Sequence, residues 1–424
     1  MNDWLKVSLS LSVFGFLKEL RPSEPFIYEF LIDERWRNLT EEQVNQEVFP
    51  IGTYSYLAHL ILIFLITDLC RYKPLIILLG ASGIVVWSML LWTESLVELQ
   101  ILEIFYGTFC ATEVAYYTYI YAKVDTEYFQ QVTSHTRAAI LAGRALSGIL
   151  GQLLISLNVM NYRELNYITL SALILATVWS LFLPSVKKSI YFHREENYSH
   201  SCCTKINNAF VLMGTHFTNS FSNKYILKWS LWFSLSMCGF IQVYTYIQPL
   251  WTVTVDDPNE SIYNGAVEAV LTVLGFMVAL LAGVLKVDWK TMGELTLTIC
   301  SLLQGFILLL ASRTQYIILS YICYIIFGGI FHFMITITSS EIARNIKDES
   351  YGLVFGINTF VALCFQSILT AVVVRGGIGF ALAPRGQYFV YGCFHIVIAI
   401  IFIVIGFLSW LFDKRDYRKA SIVI

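Results

Sequence analysis

Twelve stretches of this 424-residue chain are apolar over about 20 residues each, the length a helix needs to cross the hydrocarbon core of a bilayer. They fall at about 8–32, 51–70, 74–93, 98–122, 135–157 and 164–184, and then at about 226–250, 262–285, 291–312, 315–340, 350–374 and 388–412. Charged residues make up 14% of the chain, against about 25% in an average soluble domain, and no soluble core of this length calls for so much apolar sequence. The expected fold class is therefore all-α integral membrane, with 12 transmembrane helices.

A polar stretch at 185–225, carrying Lys187, Lys188, Arg194, Lys205 and Lys224, separates an N-terminal six-helix bundle (1–184) from a C-terminal one (226–412) and its tail (413–424). Six plus six is the arrangement of the major facilitator superfamily, whose two bundles flank a solute site near the bilayer midplane. With the N-terminus placed in the cytoplasm, nineteen of the 28 lysines and arginines fall in cytoplasmic segments and six outside; Lys18, Arg21 and Arg144 lie within spans. The excess of positive charge on the inside predicts cytoplasmic termini for both ends of the chain. The sequons Asn38-Leu39-Thr40 and Asn259-Glu260-Ser261 then face outward as glycosylation candidates, whereas Asn197-Tyr198-Ser199 faces inward and is expected to be unused. Two short basic turns, one with Asp68, Arg71 and Lys73 and one with Lys286, Asp288 and Lys290, occupy equivalent places in the two halves. They are similar to the cytoplasmic latch loop of major-facilitator proteins, and plain positive-inside anchoring accounts for them equally well. Asp68, Arg71, Lys73 and Glu294 are the gating candidates.

Charge inside a span is costly, so such residues face cavities and take partners. The first span holds Lys18, Glu19, Arg21, Glu24 and two prolines, Pro22 and Pro25. Each proline removes an amide donor and disfavours helix before it, so this span breaks at membrane depth. Broken backbone there is tolerated only beside protein or water. Glu24 is thus a candidate cavity carboxylate, and an internal salt bridge with Lys18 or Arg21 is the competing reading. In span four, Glu113 lies ten residues before Lys123, about 15 Å from the inner end. Tyr116 and Tyr117 follow it at three and four residues and share its face. A carboxylate beside aromatic rings suits an organic cation. Arg144 in span five cannot shed its proton and needs a carboxylate partner or an anionic ligand. Further polar candidates are Gln242 and Tyr246 in span seven, Asn264 and Glu268 in span eight, and Gln366 in span eleven. His332 in span ten reads best as a hydrogen-bonded core histidine.

No phosphate loop, metal-ligand cluster, Ser/His/Asp set or nucleotide fingerprint is present, and no basic stripe of the kind nucleic acid requires. The chain is not expected to be an enzyme or a pump, or to hold a cofactor. The nine cysteines include no CxxC pair; Cys110, Cys238, Cys300 and Cys364 fall in apolar runs, and Cys202 and Cys203 read as free thiols in a polar loop. The first apolar run passes straight into Lys18-Glu19-Leu20-Arg21, so no cleavable signal peptide is expected.

Six segments, in order, resemble the reduced folate and thiamine carriers, solute carrier family 19. They are Arg21-Pro-Ser-Glu24-Pro-Phe, Thr53-Tyr-Ser-Tyr-Leu, Arg71-Tyr-Lys-Pro, Ala111-Thr-Glu-Val-Ala-Tyr-Tyr, Tyr263-Asn-Gly-Ala-Val-Glu268 and Leu353-Val-Phe-Gly-Ile-Asn-Thr-Phe360. The resemblance covers nearly the whole chain apart from the central loop and the tail. It implies the major-facilitator fold, a plasma-membrane location and uptake of a charged vitamin. Folate carriers, which bind a dianion, look to use an Arg in span four, an Arg in span ten and a Lys in span eleven; Glu113, Gly328 and Gln366 stand there in this chain. The thiamine branch is similar to this sequence at Glu113, Tyr116 and Gln366, and along span seven through Gln242, Tyr246 and Gln248. Two positions depart from it. Gly52 replaces a Trp three residues after Phe49, and Arg144 replaces a neutral residue.

Together these features describe a secondary carrier for thiamine or a similar cationic or zwitterionic vitamin, moving between two bundles by alternating access within the lipid bilayer. Coupling to protons or to organic anions would drive it. The alternatives are a reduced folate carrier with Arg144 as anion anchor and, in another class, a non-transporting membrane receptor.

Overall fold

The computed structural model describes residues 3–37, 39–125, 128–186, 191, 202–255, 263–285, 287–346, 351–376 and 379–420. Its elements are helical: α1 (Asp3–Glu19), α2 (Ile27–Ile32), α3 (Phe49–Leu69), α4 (Lys73–Trp92), α5 (Leu96–Lys123), α6 (Phe129–Ser156) and α7 (Tyr162–Ser180). Then come α8 (Cys202–Phe221), α9 (Lys224–Thr252), α10 (Asn264–Val284), α11 (Trp289–Arg313), α12 (Ile317–Asn345), α13 (Tyr351–Val373) and α14 (Pro384–Ala420). A 3-10 turn (Glu24–Phe26) precedes α2, and a π-helical turn (Gln43–Val48) leads into α3. By length and composition, seven helices among the described residues suit a membrane crossing: Lys73–Trp92, His135–Ser156, Lys224–Thr252, Trp289–Arg313, Ile317–Asn345, Gly352–Val373 and Pro384–Ser409. The apolar run of α10, Asn264–Ala279, is shorter.

In the first half α1 packs on α6 and α7, α3 on α5, and α4 on α5 and α7. The second half repeats this order, with α9 on α13 and α14, α10 on α12, and α11 on α12 and α14. The halves meet where α6 packs on α10 and α3 on α13, and the 3-10 turn also touches α10. Where α6 meets α10 the backbones nearly touch: a side-chain carbon on Gly148 would sit 2.5 Å from the Gly265 carbonyl oxygen. Only glycine allows that approach. The central stretch, expected as a loop, contains α8. Its Ala209 and Met213 are buried with Tyr191, while Val211 and Phe217 on other faces are exposed.

The first span is broken as its prolines require. α1 ends at Glu19, and the chain turns through Leu20–Ser23 before the 3-10 turn. At the break the Arg21 amide turns back onto the Glu19 carbonyl at 2.9 Å, and one hydroxyl serves both groups: Ser147 Oγ donates to the Glu19 carbonyl at 2.9 Å and accepts from the Arg21 amide at 2.5 Å. Ser23 at the turn's end bonds Thr169 of α7 and accepts from the Trp87 indole. Broken backbone at membrane depth is thereby satisfied by protein.

The charges at the break form one network around Glu19. This carboxylate is fully buried and pairs with Lys18 at 2.7 Å, Arg21 at 2.9 Å and Arg144 at 2.7 Å. Lys18 also pairs with Glu113, and Arg21 with Glu24 at 3.0 Å. Three cations thus meet three carboxylates. Arg21 also stacks over Phe109 and Trp87, with centroids at 5.4 and 5.7 Å.

Removing the charge at the hub leaves three cations sharing two acids. Glu19→Gln is expected to destabilise the first half by about 3–5 kcal/mol, the range for breaking a buried ion pair. The measurement is thermal unfolding of the purified protein beside surface expression; wild-type melting and expression would contradict the hub role.

Candidate functional site

One face of α5 stays open inside the protein. Glu103, Tyr106, Cys110, Glu113 and Tyr117 recur every three or four residues and all retain accessible surface, whereas Phe109, Ala111, Thr112, Ala115, Tyr116 and Tyr119 are buried. From the first half Glu24 and Arg144 join this face, and from the second half Tyr244 and Glu268, all of them partly accessible. Tyr244 lies within electrostatic reach of Glu24, Glu268, Arg144 and Arg21, and Tyr106 within reach of Glu24, Arg21 and Tyr244. These side chains therefore border one space between the halves.

The lining is mixed in charge, with more carboxyl than guanidinium groups left accessible. Glu24 and Glu113 each keep 24% of their side-chain surface accessible although both are ion-paired. Arg144 holds Glu19 through Nε and leaves 43% of its side chain open. Glu268 accepts a hydrogen bond from the Tyr324 hydroxyl at 2.8 Å. Such a wall offers carboxylates and phenol rings to a cationic group, and one guanidinium edge to an anionic one.

Several candidates from the sequence lie elsewhere. Tyr116 is buried against Phe14, with its hydroxyl on the Leu11 carbonyl at 3.0 Å. Packing of α1 covers it, and Tyr117 is the ring that reaches the space. Gln242 is fully buried, donating to the Tyr391 hydroxyl at 2.9 Å and accepting from Thr370 at 3.0 Å. Tyr246, also buried, sits at the kink before Pro249 and meets the Phe49 ring edge-on at 6.0 Å. Gln366 is buried in α13. Of the gating candidates, Lys73 donates to the Leu181 carbonyl at the end of α7, and Glu294 pairs with Lys228 at 2.6 Å within the second half. Arg71 is exposed and adopts a left-handed backbone, φ 57°. In the matching turn Asp288 caps α11; the Thr291 hydroxyl and the Lys290 amide hold its carboxyl below the usual range. The Asp68 side chain, Asn38 and Asn259 lie outside the described residues.

Asn264 does not line the space but bridges the halves at one end of it. Its amide donates to Glu29 at 2.8 Å and to the Pro25 carbonyl at 3.3 Å, and it accepts from the Tyr321 hydroxyl. Beside it, Gln248 donates to the Glu24 carbonyl at 3.1 Å and accepts from the Tyr28 amide at 3.0 Å. Gln152 accepts from the Ala266 amide at 3.2 Å. These bonds seal the end that carries the α6–α7 and α11–α12 turns. Glu19 and Glu29 were not singled out from sequence. Glu19 had a visible signal, a carboxyl flanked by Lys18 and Arg21; Glu29 had none.

The fold is similar to known transporters. The chain superposes on a POT family transporter in complex with a thioalcohol-conjugated peptide with TM-score 0.65 at 15% identity, covering 94% of this chain and 95% of that one. It matches the xylose transporter XylE from E. coli with TM-score 0.61 at 15% identity, covering 94% and 98%. These place it in the major-facilitator fold. The profile of the reduced folate carrier family matches residues 2–390. Mouse thiamine transporter 1 is 37% identical, with 99% of this chain and 93% of the relative covered. Folate-like transporter 3 of Caenorhabditis elegans is 39% identical, with 99% and 100% covered. The chain belongs to the reduced folate carrier family and is a membrane transporter, not an enzyme.

Proposed function

We propose that this chain takes up thiamine, or a related cationic or zwitterionic vitamin, across the plasma membrane by alternating access. The single observation that carries the substrate choice is the charge of the open wall. Glu24, Glu113 and Glu268 present carboxyl groups, with Tyr106, Tyr117 and Tyr244 between them, against one accessible guanidinium. An organic cation gains charge pairing and ring stacking there. In this reading the chain spans the membrane twelve times, as bundles 1–184 and 226–412 joined by 185–225 and followed by 413–424. The repeated order of helix pairings supports that division. Both termini are cytoplasmic, as the lysine and arginine distribution favours. The sealed end then faces outward, and the bundles rock around the acidic space. Protons or organic anions supply the coupling. Asn38 and Asn259 are the sites for glycans on the outer face.

A second reading rests on Arg144. Its guanidinium reaches the space, so a folate anion has one anchor. Glu19 already holds its Nε, which leaves less of that charge for a dianion.

Cells expressing the chain are expected to show saturable uptake of labelled thiamine, with little uptake of labelled methotrexate. Methotrexate uptake without thiamine uptake overturns the substrate choice, and uptake of neither favours a receptor that kept the fold. Glu113→Gln is expected to lower thiamine uptake at least about tenfold, the equivalent of 1.4 kcal/mol, at normal surface expression. Unchanged uptake would remove Glu113 from the site.

A further inference from the structure

The sealed end closes over an acid with no ion-pair partner among the described residues. Glu29, on α2, is 8% exposed. One carboxyl oxygen accepts from Asn264 of the opposite half at 2.8 Å. The other, Oε2, is buried without a hydrogen-bond partner among the described residues. The titratable groups around it are phenols, with Asp33 and Arg35 beyond Tyr162 and Glu41 beyond Tyr28: Tyr162 of α7, Tyr28 beside it on α2 and, past Asn264, Tyr321 of α12. The π-helical turn contributes the amide of Asn45, which donates to the Tyr28 hydroxyl. Nearby cations are engaged elsewhere. Arg21 holds Glu19 and Glu24, Arg35 grips Asp33, Arg37 donates to the carbonyls of Met89 and Leu90, and Arg163 to that of Leu91.

An ionised carboxyl with a dry, unpaired oxygen and no counter-charge costs several kcal/mol. A proton removes that cost and leaves the bond from Asn264 intact. Parting the halves at this end breaks that bond and returns the carboxyl to water, where its charge is solvated. Closure and proton binding are then linked, each favouring the other by the same factor.

We propose that Glu29 is a proton-binding site at which a proton from the medium settles on the carboxyl as this end closes and leaves as it opens. The proposal rests on the alternating-access reading above and not on the identity of the substrate. It makes the proton a ligand of the closed state.

The test places spin labels on cysteines introduced at Val159 and Tyr316, exposed positions in the α6–α7 and α11–α12 turns, with the native cysteines replaced. Their separation is measured by pulsed electron resonance in lipid nanodiscs at about pH 6 and about pH 8, with and without thiamine. In the otherwise wild-type protein the long-distance population is expected to grow at the higher pH, by up to about tenfold in ratio per pH unit for a single site. Glu29→Gln keeps an acceptor for Asn264 and is expected to stay closed at both values. Glu29→Asp is expected to respond with a shifted midpoint, which carries the test if the glutamine variant does not fold. A glutamine variant that follows wild type, an aspartate variant with an unshifted midpoint, or a wild-type separation indifferent to pH each overturns the proposal. The thiamine arm separates the causes. Distances that move with thiamine but not with pH condemn Glu29 alone, and distances that move with neither condemn alternating access as well.

Discussion

The ion pairs on Glu19 are what the rest of the first half depends on. Two prolines force the chain to leave helical geometry at membrane depth, and the break exposes both backbone polar groups and a concentrated set of charges. Ser147 takes the backbone groups and Glu19 takes the cations. Because Lys18, Arg21 and Arg144 all converge on one buried acid, their remaining reach decides how Glu24 and Glu113 stand at the edge of the space. The network is therefore both a clamp on the broken span and the frame of the site. A buried ion cluster is weak evidence for stability in itself, since desolvation offsets much of the attraction. Its clearer role here is positional: it fixes which carboxylates stay accessible.

The second half is built differently. Most of its buried polar groups are neutral, and several pair with one another: Gln242 with Tyr391 and Thr370, Trp232 with Ser301, and Asn358 with Ser230. It offers Glu268 and Tyr244 to the space, so the ion-paired groups there come from the first half. Contact across the sealed end is made by amides, Gln248 and Asn264, which bond equally well to backbone and to acid. Amide bridges carry no net charge, so parting them leaves no ion stranded apart from Glu29.

Much of this was legible in the sequence because membrane insertion writes its constraints along the chain. Apolar runs set most of the helices to within a few residues, Pro22 and Pro25 set the break, and Glu24, Glu113 and Arg144 keep accessible surface. What spacing could not settle was which side of a helix is covered. Tyr116 and Tyr117 lie three and four residues from Glu113, and only the approach of α1 decides that the first is buried. Gln242, Tyr246 and Gln366 are polar residues at membrane depth, a signal that something satisfies them but not that it is a ligand. The α8 helix escaped notice because its apolar face is small and lies in polar surroundings. Glu29 stands among aromatic and aliphatic neighbours on a two-turn helix, and its importance arises only from a contact more than 200 residues away in sequence.

Gly52 shows how a departure from a related sequence is absorbed. A ring at this position would wall the space with an aromatic surface, and glycine removes it. The room is not left empty, because Glu103 of α5 turns its carboxyl over the Gly52 backbone, where any side-chain carbon would collide with it. Glu103 lies ten residues, about 15 Å, from Glu113 on the same face of α5. Tyr246 of the second half lies within its electrostatic reach. Exchanging a ring for a carboxyl replaces a stacking surface with a polar one. The single added cation, Arg144, is drawn off by Glu19. To an anionic solute it offers only a partly engaged attraction. On balance the space remains better matched to a cation.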